Sequence, residues 1–135
     1  MAYEIPLLID SKRSTGDMSS YQYRAVALST AAGYDDGVAL VAARGAAVHG
    51  VWLDNSTASD HGRLMLEGVA KLAAGDSSGT ETAISPGDIV VASSVGQAVA
   101  STAADLHAIG IAQEALSTGS TGWIAVHLTI GALTT

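Results

Sequence analysis

The sequence predicts an all-β protein: a small, compact β-barrel or β-clip domain with an extended N-terminal arm. Three observations carry this. Short runs of alternating or apolar residues follow one another, each bounded by Gly, Pro, Asp or Ser turn signals. No segment shows sustained helical periodicity; only Ala103–His107 has room for one helical turn. Two stretches sixty residues apart are also built to one plan. Val48-His49-Gly50-Val51-Trp52-Leu53 leads through a polar loop to Gly62-Arg63-Leu64-Met65-Leu66, and Ala108-Ile109-Gly110-Ile111-Ala112-Gln113 leads through another to Gly122-Trp123-Ile124-Ala125-Val126. The two glycines are equally spaced in both, and an acid, Asp54 or Glu114, follows the first glycine by four. Each stretch reads as strand, loop, strand.

The elements follow in order. Tyr3, Ile5, Leu7 and Ile9 alternate as in a half-buried strand, but Pro6 removes a ladder donor, which suits an edge or a lone extended segment. Asp10 to Ser20 is polar and contains Gly16. Residues 1–20 are therefore expected as an arm and linker, and residues 21–135 as the β domain. Within the domain, Tyr21–Leu28 is aromatic and β-branched, a strand signal. Asp35-Asp36-Gly37 marks a turn, and Val38–Ala42 a short apolar strand. Gly45 turns the chain into Ala46–Leu53. Leu64, Leu66, Val69 and Leu72 form a strand whose alternation breaks at Gly68, the place for a bulge. A polar loop, Ala73–Ser85, precedes the turn Pro86-Gly87-Asp88 and the strand Ile89–Val91. Gln97–Val99 and Ala108–Gln113 follow. The last strand, Trp123–Ile130, shows the clearest alternation.

Composition narrows the function. At 135 residues the chain has the length of one domain. Ala, Gly, Ser and Thr supply 66 of those residues, and there is no Phe. Small side chains bury little area each, so oligomerisation is expected to add stability. The net charge is −7 and the six basic residues form no stripe, which disfavours nucleic acid and anionic membranes as partners. With no cysteine, disulfides and thiolate metal sites are excluded. The N-terminus lacks the pattern of a signal peptide.

Few motifs carry chemistry. Gly75-Asp76-Ser77-Ser78-Gly79 matches the Gly-x-Ser-x-Gly nucleophile pattern, but no helix pattern follows it, and that chemistry needs a strand-to-helix elbow. His49, His61, His107 and His127 show no helical metal spacing. Asp35-Asp36-Gly37 lacks the ligand spacing of a calcium loop. Asn55-Ser56-Thr57 fits the glycosylation sequon without a secretory context. Neither an enzyme, a cofactor nor a metal is expected. Trp52 lies on the first strand of one repeated stretch and Trp123 on the second strand of the other. Both are candidates for core packing or for an oligomer interface, where Trp is enriched.

Several segments, in order, resemble the head decoration or capsid cement proteins of tailed bacteriophages. They are Asp17–Leu28, His49-Gly50-Val51, Glu67–Leu72, Pro86–Val90, Gly96–Val99, Ile109–Ala115 and Gly122–Leu128. The resemblance implies a structural virion protein with a compact β-clip or tulip-like fold, bound to the outer surface of the capsid, with the major capsid protein and its own copies, as a homotrimer, for partners. It brings no catalytic residues. From the residues themselves, Tyr3, Glu4, Ile5, Pro6, Leu7, Leu8 and Ile9 are expected to bind the capsid by strand addition. A carbohydrate-binding or adhesin-type module of a phage fibre or secreted protein is the alternative. Its sugars would stack on exposed aromatic rings, and only six aromatic residues are present.

Overall fold

The computed structural model describes residues 2–29, 37–55, 57, 60–75, 82–102, 105 and 107–132. Its elements are β1 (Ile5–Ser14), β2 (Ala25–Leu28), β3 (Gly37–Leu40), β4 (Gly50–Trp52), β5 (His61–Ala74), β6 (Ile89–Ala92), β7 (Ala98–Ala100), β8 (His107–Ala112) and β9 (Gly122–Ala132). The described residues contain no helix. The protein is all-β, as expected. The Ser77 motif, Asp35-Asp36, Ser56 of the sequon and most of the Ala103–His107 turn lie outside the described residues.

The strands form one sheet in the order β1-β3-β2-β4-β5-β7-β6-β8-β9, with β1–β5 and β5–β9 also paired. These extra pairings close the sheet on itself twice. β1, β3, β2, β4 and β5 make one five-strand circuit; β5, β7, β6, β8 and β9 make a second. The architecture is thus two circuits sharing β5, in place of the single barrel that the strand count suggested.

The second circuit repeats the first. β1 runs parallel to β3 and antiparallel to β5, and β5 runs parallel to β7 and antiparallel to β9. One shift along the chain carries Arg13 to Ala74, Gly37 to Ala98 and His61 to Gly122, and these residues are paired in the same way in both circuits. The repeated stretches seen in the sequence are the hairpins β4–β5 and β8–β9. Their first glycines do one job. A Cβ at Gly50 would lie 2.9 Å from the Met65 carbonyl oxygen, and one at Gly110 would lie 2.1 Å from that of His127. A side chain at either place would push the paired strands apart.

The repeated acids also do one job. Leu53 N–H donates to the Arg63 carbonyl at 2.9 Å, and Arg63 N–H donates to the Asp54 carboxylate at 2.7 Å. In the second circuit Gln113 N–H donates to the Ala125 carbonyl at 2.9 Å, and Ala125 N–H donates to the Glu114 carboxylate at 3.0 Å. Each acid takes up a backbone donor where the hairpin ladder ends, which would otherwise be left without a partner.

Residues 5–14 form a strand of the same domain, where a separate arm and linker were expected. β1 is paired with β5 from Ile5 opposite Val69 to Arg13 opposite His61. The polar run beyond Asp10 continues this edge, and Met18 is buried with Val26, Val38, Trp52 and Leu64. Pro6 is accommodated beside a double irregularity. Pro6 faces Gly68, Leu8 faces Glu67 and Ile9 faces Met65, so Leu7 is an extra residue on β1 and Leu66 an extra one on β5. The bulge expected at Gly68 lies two residues before it, at Leu66, with Gly68 itself paired to Pro6. Gly68 has φ +119°, and a Cβ on it would come within 2.2 Å of the Ile5 carbonyl oxygen.

Adjacent residues on the short strands feed different clusters. Val26, Trp52 and Leu64 pack in one, whereas Ala25, Val51 and Met65 join the larger cluster that fills the second circuit. Trp52 is fully buried (0% exposed), and its indole N–H has no hydrogen-bond partner among the described residues. Segments between strands also join the circuits. Arg44 lies 3.3 Å from the Asp105 carboxylate and donates to the Ala100 carbonyl at 2.8 Å. Asp105, 6% exposed, also accepts the Thr102 N–H at 2.6 Å. Burial alone would raise the Asp105 pKa, but the Thr102 amide and Arg44 outweigh it and hold the carboxyl below its usual range.

Two predictions follow from this packing. Trp52→Ala should destabilise the protein by about 3–5 kcal/mol in urea unfolding, whereas an exposed site such as Trp123 should tolerate alanine within about 1 kcal/mol. Asp105 stabilises the fold while it is ionised. Because its folded pKa is depressed, that contribution is present above the unfolded value of about 4 and is lost as pH falls through the folded value. Asp105→Asn should therefore lower the melting temperature at neutral pH and make it less sensitive to acid below about pH 5.

Candidate interaction surface

Five of the nine exposed large apolar side chains among the described residues lie on β1 or just before it. Tyr3, Ile5, Leu7, Leu8 and Ile9 are all exposed, Leu7 most of all at 73%. Among the described pairings, β1 meets β3 only at Arg13 and Ser14, and the rest of its length pairs with β5 alone. The N-terminal half of β1 therefore has one paired edge and one open edge. An open edge with apolar side chains is a template for a further strand.

The double irregularity decides which side chains share a surface. The alternation of Tyr3, Ile5, Leu7 and Ile9 put all four on one face. The extra residue at Leu7 breaks that alternation. Glu4, Pro6 and Ile9 line a cleft of about 410 Å³ together with Gln22, Tyr23, Leu53, Asp54, Arg63 and Met65. Leu7 lines a different cleft, of about 320 Å³, with Leu66, Glu67, Gly68 and His127–Ile130 of β9. Of the seven residues expected to act as one arm, Glu4, Pro6 and Ile9 thus line one cleft and Leu7 the other.

The first cleft is polar. Asp54 and Arg63 face each other through two contacts, 2.9 Å from Nη2 to Oδ1 and 3.3 Å from Nε to Oδ2. The Arg63 hydrogen bond is the main reason the Asp54 carboxyl lies below its usual range. Gln22 donates its amide to the Leu53 carbonyl at 2.8 Å. The second cleft carries leucines and Ile130 beside one histidine and one glutamate.

The two tryptophans separate. Trp52, a candidate for an oligomer interface, is a core residue and offers no surface. Trp123 is 56% exposed. Its ring meets the Tyr23 ring edge-to-face, with centroids 5.8 Å apart. Lys71 Nζ stands 4.1 Å from the Trp123 centroid and 4.7 Å from that of Tyr23. The sheet assembles this group from residues a hundred positions apart. Ala73 pairs with Trp123 on β9, and its N–H donates to the Tyr23 carbonyl. Tyr23 itself has φ +64°, a conformation that a bulky residue rarely adopts. Its N–H donates to the Trp52 carbonyl at 2.7 Å, so both its backbone groups are held. The sequence read Tyr21–Leu28 as one strand, whereas β2 begins at Ala25.

The histidines are dispersed. His49 Nε2 lies 3.9 Å from Asp10 Oδ2, His107 is on β8 and His127 on β9. Among the described residues, no three His, Asp or Glu side chains converge as metal ligands would.

The fold is similar to that of a solved bacteriophage protein, the head fiber gp8.5 N base of phi29. The TM-score is 0.64 at 17% identity, and the match covers 95% of this chain and 98% of that one. At this identity the likeness establishes a common fold. No model of a protein family matches the chain, and no curated protein sequence does.

The joint between β1 and β5 can be tested through Gly68. Gly68→Ala should cost about 1–3 kcal/mol through backbone strain, and the close approach of the Ile5 carbonyl should add to it. Hydrogen exchange should show the β1 amides of Ile5, Leu7, Leu8 and Ile9 opening first. Unchanged stability would mean that β1 is not held as described.

Proposed function

We propose that this protein is a structural component of a bacteriophage virion that binds the outer surface of the capsid and stabilises the expanded shell. The observation that carries the reading is the whole-length fold likeness to a phage head fiber base. The ordered series of segments resembling head decoration proteins supports it independently. The role requires no catalytic residue, cofactor or metal.

The physical logic is mass action. A shell under internal pressure is pulled apart where its subunits meet. A protein that binds only the expanded lattice stabilises that lattice by its binding free energy. Repetition over many equivalent sites multiplies a modest affinity per copy. The partners are the major capsid protein and two further copies of this chain, in a homotrimer with a closed cyclic interface.

The docking element is the N-terminal half of β1. It acts while paired to its own domain. Its open edge offers backbone donors and acceptors, and Ile5, Leu7 and Leu8 offer apolar area beside the cleft against β9. Pro6 lacks a donor, which discourages uncontrolled pairing of free copies. The acidic surface keeps the free protein soluble.

Electron microscopy of heads with and without the chain should show added density on the outer surface at three-fold positions. Isolated monomers or two-fold dimers would contradict the trimer. Leu7→Asp should leave the fold intact, within about 0.5 kcal/mol, because the side chain is exposed. It should weaken sedimentation with expanded heads at least about tenfold, a loss near 1.4 kcal/mol. Wild-type binding by this variant would rule out β1 as the docking element.

A further inference from the structure

The Trp123, Lys71 and Tyr23 group and the polar cleft beside it are unlike the rest of the surface. The chain has two tryptophans, and one of them stands more than half exposed. Tyr23, its partner, keeps a left-handed backbone held by two hydrogen bonds, although glycine would occupy that conformation without strain. Strained conformations of this kind gather where a side chain must be aimed. Here the strain sets an aromatic ring on the boundary between Trp123 and the cleft.

The cleft continues from that ring with hydrogen-bonding groups. Glu4, Asp54 and Arg63 line it. The Asp54–Arg63 pair supplies a fixed acceptor and donor side by side, and Glu4 adds a further acceptor. Its volume, about 410 Å³, lies within the range of small-ligand sites, roughly 300–1,000 Å³. An apolar protein anchor would take the Asp54–Arg63 pair and the Glu4 carboxylate out of water with no new hydrogen bonds, which is costly. A pyranose ring meets both halves: its C–H face stacks on an aromatic ring, and its hydroxyls pair with carboxylate and guanidinium.

We infer that the cleft bordered by Tyr23, with Trp123 at its rim, is a binding site for a neutral glycan. Trp123 and Tyr23 act as stacking surfaces, and Glu4, Asp54 and Arg63 act as hydroxyl partners. Lys71 holds the two rings in their edge-to-face arrangement. The site is separate from the Leu7 cleft, so it does not compete with docking on a capsid. A particle carrying many copies would present many weak glycan sites, and their avidity would exceed the affinity of one.

The experiment is a titration of the free protein with chitotetraose, cellotetraose, maltotetraose and a galactose oligomer. It is followed by tryptophan fluorescence and by calorimetry. Trp52 remains in Trp123→Ala, so the part of a fluorescence change lost in that variant reports on Trp123. At least one oligosaccharide should bind saturably. Trp123→Ala should weaken that binding about tenfold or more. Glu4→Gln, which leaves the aromatic group intact, should also weaken it. Circular dichroism melting checks that both variants fold. Absence of saturable binding across the panel would overturn the inference. So would binding that neither substitution changes. Loss of self-association in Trp123→Ala, with no glycan effect, would identify the patch as a protein contact and overturn it equally. None of these outcomes depends on capsid binding, which the Leu7→Asp experiment tests separately.

Discussion

Everything in this structure depends on one strand being hydrogen-bonded to four others. β5 runs fourteen residues. Its first part pairs with β1 and β4, and its last part with β9 and β7. It closes the first circuit and opens the second. Such a strand is buried on both faces in two places. Leu64 and Met65 are both fully buried although they point to opposite sides, and Leu72, Ala73 and Ala74 are buried in succession. The two circuits cannot separate without breaking β5 from one of them.

The unusual composition follows from this arrangement. Two circuits sharing a strand bring backbones close together, and small residues permit it. Gly50 and Gly110 stand where the facing carbonyl leaves no room for a Cβ. Alanines on β5 and β9 fill the space between ladders. Few large side chains are available to stabilise such a core, so polar groups matter more than usual. Asp54 and Glu114 take the donors at the hairpin ends, and Asp105 with Arg44 ties the loops of the two circuits together. The surface inherits the same economy. Among the described residues, the bulky apolar groups left outside lie on and just before β1, at Trp123, and singly at Leu28, Ile89 and Val95.

Much of this was legible in the sequence. The strands from Ile89 onward announced themselves by alternation and turn residues. The paired glycines and acids marked the repeat, and Gly68 marked the bulge to within two residues. Other features lay beyond local pattern. Tyr3–Ile9 looked like a free arm because Pro6 and the polar run after it are signals of extended, unpaired chain. The long ladder to β5 that absorbs them is a non-local contact. Leu7 as an extra residue could not be read either, because a bulge depends on register with a partner strand. Trp52 on β4 is buried and Trp123 on β9 is exposed, a difference set by which face of its sheet each side chain joins. The aromatic group at Tyr23 joins residues from three distant segments, and no window along the chain contains it.

Through β5 the two circuits form one cooperative unit. Native-state hydrogen exchange along β5 tests it most directly. The amides of Met65 in the first circuit and Leu72 in the second should open with the same free energy, equal to that of global unfolding. Their dependence on denaturant should also be the same. If one circuit opens at markedly lower free energy while the other stays protected, the shared strand does not couple them and the account fails.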